Sequence, residues 1–87
     1  MTPSPLTLFV RHNCGYSAAV LAQVDALGLA VTKKFIDDDP KNETELMERG
    51  GRVQVPFLVD DAHEVELYDS DLILHYLDEH YGKEERR

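Results

Sequence analysis

Residues 6–17 have the sequence LTLFVRHNCGYS, an apolar run followed by a polar turn that holds the only cysteine of the chain, Cys14. The run Leu6–Val10 is apolar except at Thr7, which is typical of a strand buried on both faces. A helix-like stretch begins just after Cys14. At such a strand-to-helix junction, free backbone N–H groups and the helix dipole favour a thiolate over a thiol.

Cys14 is therefore predicted to be a reactive residue, with Arg11 as an additional fixed positive charge. The alternative is a cysteine packed as a small core hydrophobe, which is the commoner fate of a free cysteine. The small or polar neighbours Asn13, Gly15 and Ser17 belong to a turn, and they favour the reactive interpretation.

The length of 87 residues predicts a single domain, residues 1–87, with its core at about residues 6–82. No stretch approaches the roughly 20 apolar residues of a membrane span, and residues 1–5 lack the features of a signal peptide. With one cysteine, no internal disulfide can form within the chain. We expect a soluble, cytoplasmic protein without a membrane partner.

The net charge is −8, from 17 acidic and 9 basic residues, which argues against a nucleic-acid partner because phosphates would be repelled. The acidic clusters Asp37–Asp39 and Asp60–Asp61 are interpreted as solvated surface charge in turns. The four histidines show no ligand-like grouping along the chain, so we expect no structural zinc site.

The order of predicted elements is β-α-β-α-β-β-α, an α/β fold. The first β-α-β unit must be parallel with a right-handed crossover, and the later pair of strands forms an antiparallel hairpin. A four-stranded mixed sheet flanked by helices follows, with ligands expected beyond the carboxyl ends of its parallel strands. The predicted strands are residues 6–10, 31–36, 55–59 and 65–68, and the predicted helices are residues 16–27, 43–49 and 70–81.

Three motifs carry a resemblance to known families, and the resemblance covers about residues 6–82. The chain resembles the glutaredoxins of the thioredoxin-fold superfamily, and nearly as closely the N-terminal, glutathione-binding domain of glutathione transferases. The motifs are Cys14-Gly15-Tyr16-Ser17, similar to the tetrapeptide of monothiol glutaredoxins; Gln54-Val55-Pro56, similar to a cis-proline loop; and Tyr68-Asp69-Ser70-Asp71, similar to the γ-glutamyl site.

The resemblance implies a thioredoxin-like fold with a groove for glutathione. A cis bond before Pro56 would turn the backbone groups of Val55 toward the cysteinyl backbone of the ligand. Ser70 and Asp71 would hold its α-carboxylate at a helix start, and Asp69 or Asp71 its ammonium group. Without the resemblance, a trans proline and an ordinary helix cap explain the same residues.

The remaining implied contacts lie at the other end of the tripeptide. Arg11 and Arg52 are candidates for the glycyl carboxylate, and Tyr16 walls the groove. The implied glutathione-binding residues are Arg11, Tyr16, Arg52, Gln54, Val55, Pro56, Asp69, Ser70 and Asp71.

The leading prediction is a glutathione-dependent thiol–disulfide oxidoreductase with Cys14 as the catalytic residue and glutathione as co-substrate. Ser17 replaces the resolving cysteine of dithiol members, so the chemistry is monothiol exchange with glutathionylated proteins or small disulfides. We expect a monomer unless a cluster is bound.

Two other functions stay open. One is a [2Fe–2S] carrier, a dimer in which Cys14 and glutathione from each chain ligate the cluster; against it, the chain lacks tryptophan and the lysine that usually precedes the tetrapeptide. The other is a stand-alone glutathione-binding module of the transferase N-terminal type, favoured by the segment 68–74. Transferases normally require a following helical domain, so conjugation is not expected.

Overall fold

The computed structural model describes residues 5–82, and within them the predicted order of elements is confirmed. No helix in this part of the chain is long and apolar enough to cross a bilayer. The elements are β1 (Leu6–Val10), α1 (Gly15–Leu27), β2 (Thr32–Phe35), α2 (Pro40–Gly50), β3 (Phe57–Asp60), β4 (Val65–Tyr68) and α3 (Ser70–Tyr81).

The four strands form one mixed sheet in the order β2-β1-β3-β4. Strand β1 pairs parallel with β2 and antiparallel with β3, and β3 pairs antiparallel with β4. This arrangement confirms the predicted four-stranded α/β, thioredoxin-like fold. The register aligns Phe9 with Phe57 and Phe57 with Tyr68, so the turn after β1, the start of β3 and the end of β4 meet at one edge of the sheet.

The core has two layers because β1 is buried on both faces. Leu8 and Val10 pack on the face covered by α1 and α3, in a cluster that includes Val24 and Leu77. Phe9 packs on the opposite face, where a second cluster includes Leu46 of α2. The apolar composition of β1 predicted this two-sided burial.

Helix α2 begins at Pro40, three residues before its predicted start. The Asp39 side chain accepts a hydrogen bond from the Lys41 backbone N–H at 2.9 Å and caps the helix. Proline is well suited to a first helical position, since its missing N–H has no intrahelical partner to lose. The Asp39-Pro40 pair therefore starts the helix directly.

Strand β3 departs from its predicted bounds at both ends. It starts at Phe57, whereas Val55 was predicted, because Pro56 has no N–H to donate to the ladder. It continues through Asp60, which was predicted to be a solvated residue of the turn. That prediction is wrong, since Asp60 is 0% exposed.

Burial of Asp60 is compensated by a network of hydrogen bonds. Its carboxylate accepts from the hydroxyls of Tyr76 and Tyr81, each at 2.6 Å. It also pairs with Nδ1 of His63 at 2.8 Å and accepts from the Ala62 backbone N–H at 3.1 Å. A buried carboxylate is tolerated only with such partners, and these join the end of β3 to the last turns of α3.

We predict that this network makes the stability of the domain sensitive to acid. Burial by itself raises the pKa of Asp60, but hydrogen bonds from Tyr76, Tyr81 and His63 outweigh it and hold the pKa below its ordinary value of 3.8. Since the unfolded chain then binds the proton more readily, the stabilisation is complete above that value and is lost as pH falls through the folded pKa. Asp60→Asn should lower the free energy of unfolding at neutral pH by about 2 kcal/mol.

Urea unfolding between about pH 3 and pH 7 measures this effect. The variant should show a flatter dependence on pH than the wild type. Glu48→Gln, a change at an exposed acidic residue of α2, is the matched control. Equal acid sensitivity in wild type and Asp60→Asn would contradict the prediction.

Candidate functional site

A cavity of about 360 Å³ lies at the edge of the sheet where the segment after β1, the loop before β3 and the segment after β4 come together. Three segments that are distant in sequence meet there, and every lining residue belongs to the set predicted for glutathione. We call it the Pro56 cavity; its lining residues are Tyr16, Gln54, Val55, Pro56, Asp69, Ser70 and Asp71.

The Val55–Pro56 peptide bond is cis, as the resemblance implied. Pro56 is buried and Val55 is half-buried. Because the ladder between β1 and β3 ends at the pair Phe9 and Phe57, the backbone of Val55 lies beyond the sheet edge, in the wall of the cavity.

The start of α3 forms the opposite wall. Asp69 has φ 82° and ψ 116°, a conformation that residues other than glycine rarely adopt. Its carboxylate accepts the Asp71 backbone N–H at 3.0 Å, and its carbonyl accepts the Ile73 N–H at 3.0 Å. Backbone strain of this kind costs about 1–3 kcal/mol and is concentrated at ligand-binding and catalytic positions.

Cys14 is the N-cap residue of α1 and is partly exposed. The pKa of its thiol is lowered, first by a hydrogen bond from the Ser17 hydroxyl and then by the Ser17 backbone N–H, while burial opposes the shift. The Tyr16 N–H and the charge of Arg11 lower it further. The lowering of the pKa thus comes chiefly from donors within the first turn of α1.

Ser17 has a role that the sequence did not reveal. It is 0% exposed, and its hydroxyl oxygen accepts the Arg11 backbone N–H at 3.2 Å. The hydroxyl can therefore direct its proton toward the sulfur of Cys14. In sequence, the signal was a hydroxyl residue at the third position of a helix that follows a cysteine cap.

The sulfur-bearing residue lines a different cavity from the one predicted. Cys14 and Gly15 line a neighbouring cavity of about 490 Å³, whereas Tyr16 lines the Pro56 cavity. The two cavities share no lining residue, and consecutive residues of α1, Gly15 and Tyr16, line one each, where one groove was expected. We call the second the Cys14 cavity; it is lined by Arg11, His12, Asn13, Cys14, Gly15, Ala18, Leu21 and Phe35.

The two arginines predicted for the glycyl carboxylate occupy other positions. Arg11 lines the Cys14 cavity, and Arg52 lines neither cavity. The Arg52 guanidinium lies 4.1 Å from the centre of the Tyr68 ring, and the Tyr68 hydroxyl donates to the Arg52 carbonyl at 2.7 Å. Gly50 permits this packing, since a Cβ there would clash with the Tyr68 hydroxyl.

We predict that Ser17→Ala raises the pH midpoint of Cys14 alkylation by iodoacetamide. The wild-type midpoint should lie below the ordinary thiol pKa of about 8.5, and removal of the strongest donor should move it upward. Thr44→Ala, which removes a hydroxyl bonded to a helix carbonyl in α2, is the control and should leave the midpoint unchanged. An unchanged midpoint in Ser17→Ala would show that the hydroxyl does not set thiol acidity.

Comparison with known proteins agrees with this architecture. Residues 8–85 match the family glutathione S-transferase, N-terminal domain, and no curated protein matches the chain. A Bombyx mori glutathione S-transferase, unclassified 2, superimposes with a TM-score of 0.77 at 23% identity over 93% of this chain and 38% of its own.

Two further solved structures have slightly higher identity. A glutathione transferase homolog from Drosophila mojavensis, solved with bound glutathione, has a TM-score of 0.76 at 26% identity, over 92% of this chain and 36% of its own. An epsilon-class glutathione S-transferase from the housefly Musca domestica has a TM-score of 0.75 at 27% identity, over 92% of this chain and 37% of its own. The chain thus spans less than two fifths of the length of these proteins, and by its sequence match it belongs to the glutathione S-transferase N-terminal domain family.

Proposed function

We propose that this domain binds glutathione in the Pro56 cavity. The observation that carries the proposal is the convergence of three separate segments, all implied by the glutathione motifs, on that one cavity. The family match supports it, as does the Drosophila mojavensis homolog with its bound glutathione. Of the resemblances found in the sequence, these findings favour the transferase module over the monothiol glutaredoxins. Neither the family match nor these neighbours support a [2Fe–2S] cluster.

The γ-glutamyl end of glutathione carries a carboxylate and an ammonium group, and the start of α3 suits both. The backbone N–H groups of its first turn and the Ser70 hydroxyl favour the carboxylate. The Asp69 carboxylate already accepts the Asp71 N–H within the helix cap. We therefore assign the ammonium group to Asp71.

The rest of the tripeptide follows the cavity wall. The backbone of Val55 would pair with the cysteinyl residue in the manner of an added strand. Arg52 lies outside the cavity lining, two residues before Gln54 in the chain, and we retain it as the partner of the glycyl carboxylate, with its guanidinium stacked on Tyr68.

We predict that Asp71→Asn weakens glutathione binding by about tenfold, because a charge-assisted hydrogen bond contributes about 1.5–3 kcal/mol. Asp69→Asn should instead leave both affinity and stability nearly unchanged, since asparagine caps a helix about as well as aspartate and can still accept the Asp71 N–H. Titration followed by amide NMR, together with thermal unfolding, measures both quantities.

Cysteinylglycine, which lacks the γ-glutamyl group, is the ligand control and should bind more weakly to the wild type than glutathione does. If wild-type resonances around the Pro56 cavity did not shift with glutathione, the binding proposal would be wrong. If Asp69→Asn lost affinity while Asp71→Asn did not, the assignment of the ammonium group would be reversed.

A second function, thiol–disulfide exchange at Cys14, is favoured by the lowered pKa and partial exposure of its thiol. The Cys14 thiolate would attack the glutathionyl sulfur of a mixed disulfide, form a Cys14–glutathione disulfide and release the partner as a thiolate. A second glutathione thiolate would then attack the glutathionyl sulfur, giving oxidised glutathione and restoring the Cys14 thiolate. No second cysteine is needed.

The positions of the two cavities define where this exchange would occur. Gly15 lines the Cys14 cavity and Tyr16 lines the Pro56 cavity, so the boundary between them lies at the first turn of α1. A glutathionyl sulfur at this boundary would face Cys14 from one side, and the departing thiol would leave through the Cys14 cavity.

We predict that the wild type reduces the mixed disulfide of glutathione and 2-mercaptoethanol in the presence of free glutathione. Cys14→Ser should reduce the turnover rate at least about a hundredfold. Glutathione affinity should be retained in the variant, since Cys14 does not line the Pro56 cavity. Equal rates for the two proteins would exclude exchange through Cys14 while leaving the binding proposal intact.

A further inference from the structure

His12, two residues before Cys14, is held by three contacts from the segment that ends β2 and follows it. Its backbone N–H donates to both carboxylate oxygens of Asp37, at 3.1 and 3.3 Å. Its ring Nε2 pairs with Asp38 at 3.0 Å, and the ring stacks on Phe35 with centroids 4.1 Å apart and planes 13° apart. His12 thus connects the turn after β1 to the turn after β2.

Residues 35–38, which provide these contacts, are themselves held by hydrogen bonds to β1 and α2. The Phe35 carbonyl accepts hydrogen bonds from the Asp38 backbone N–H at 3.2 Å and from the Asn42 side chain at 3.0 Å. The Ile36 N–H donates to the Val10 carbonyl at 2.9 Å, and Asp39 caps α2. Asp37 and Asp38 therefore belong to a segment that is hydrogen-bonded to both β1 and α2.

The turn between His12 and Cys14 contains one residue in the left-handed region. Asn13 adopts φ 57°, in the left-handed region, and Cys14 returns to extended backbone at φ −120° and ψ 119°. The Arg11 N–H, donated to the Ser17 hydroxyl, connects this turn to α1. The contacts of His12 connect the same turn to the segment that follows β2.

We propose that His12 is a positioning residue for Cys14: by pairing with Asp37 and Asp38 and stacking on Phe35, it fixes the turn that keeps the sulfur beside its donors. The functional meaning of this role rests on the thiol exchange proposed above. The geometry itself involves no residue of the Pro56 cavity, so it can be tested separately from glutathione binding.

His12→Ala tests the role, because it removes the ring contacts and retains the backbone N–H. We expect alkylation of Cys14 by iodoacetamide at fixed pH to slow by about tenfold, because fewer molecules hold the thiolate beside its donors. The pH midpoint of alkylation should rise. Glutathione affinity should stay within about twofold of the wild type, because its cavity is formed elsewhere.

Further variants separate the two ring contacts. Asp38→Asn removes the ionic partner, and His12→Phe keeps an aromatic ring against Phe35 without a donor. A double variant, His12→Ala with Asp38→Asn, should slow alkylation no more than His12→Ala alone, since both changes remove one interaction. His75→Ala is the matched control, because His75 is an exposed histidine on α3 that also pairs with a carboxylate: its Nε2 lies 3.5 Å from Oε1 of Glu79.

The proposal would be overturned by wild-type alkylation rates and midpoints in both His12→Ala and Asp38→Asn. It would also be overturned by equal losses of alkylation rate and glutathione affinity, which would indicate general structural damage. If His12→Ala did not fold, the alkylation rates and midpoints of Asp38→Asn and His12→Phe would test the proposal, and wild-type values in both would overturn it. Slowed alkylation in a protein whose wild type binds no glutathione would support the positioning role and refute the proposed function.

Discussion

The site depends on a row of three aromatic side chains across the sheet, Phe9, Phe57 and Tyr68. The register pairs Phe9 with Phe57 and Phe57 with Tyr68, and their ring centroids lie 5.8 and 4.4 Å apart. A shift of one residue in either pairing would move side chains to the opposite face of the sheet. Since the row lies at the edge where β1 and β4 end and β3 begins, it determines that the turns carrying Cys14, Pro56 and Asp69 are neighbours.

Acidic residues provide much of the local order in this strongly acidic chain. Asp39 and Asp69 cap helices, Asp37 accepts a backbone N–H from the Cys14 turn, and Asp60 joins β3 to α3. Carboxylates are strong acceptors, and those placed at helix starts also meet the positive end of the helix dipole. An excess of negative charge can thus serve specific hydrogen bonds as well as solubility.

The sequence predicted what depends on periodicity and on motifs. The order of elements along the chain, the two-sided burial of β1 and the grouping of the motif residues at one cavity all follow from short local patterns and their families. What it did not predict are contacts between side chains distant in sequence. The burial of Asp60 requires Tyr76 and Tyr81, which reach it only when α3 packs on the sheet. The division of the predicted residues between two cavities, with Cys14 in one and Pro56 in the other, is likewise a property of the folded chain.

This division has a consequence for how binding and chemistry relate in the domain. The Pro56 cavity is built mainly by the loop before β3 and the start of α3, whereas the pKa of the Cys14 thiol is lowered chiefly by Ser17 in the first turn of α1, with smaller effects from Tyr16 and Arg11. Because the two sets of residues have only Tyr16 in common, a change at Cys14 need not alter the Pro56 cavity, and the reverse also holds. A ligand held in that cavity by backbone and helix-terminus contacts would then be kept while the chemistry at residue 14 varied.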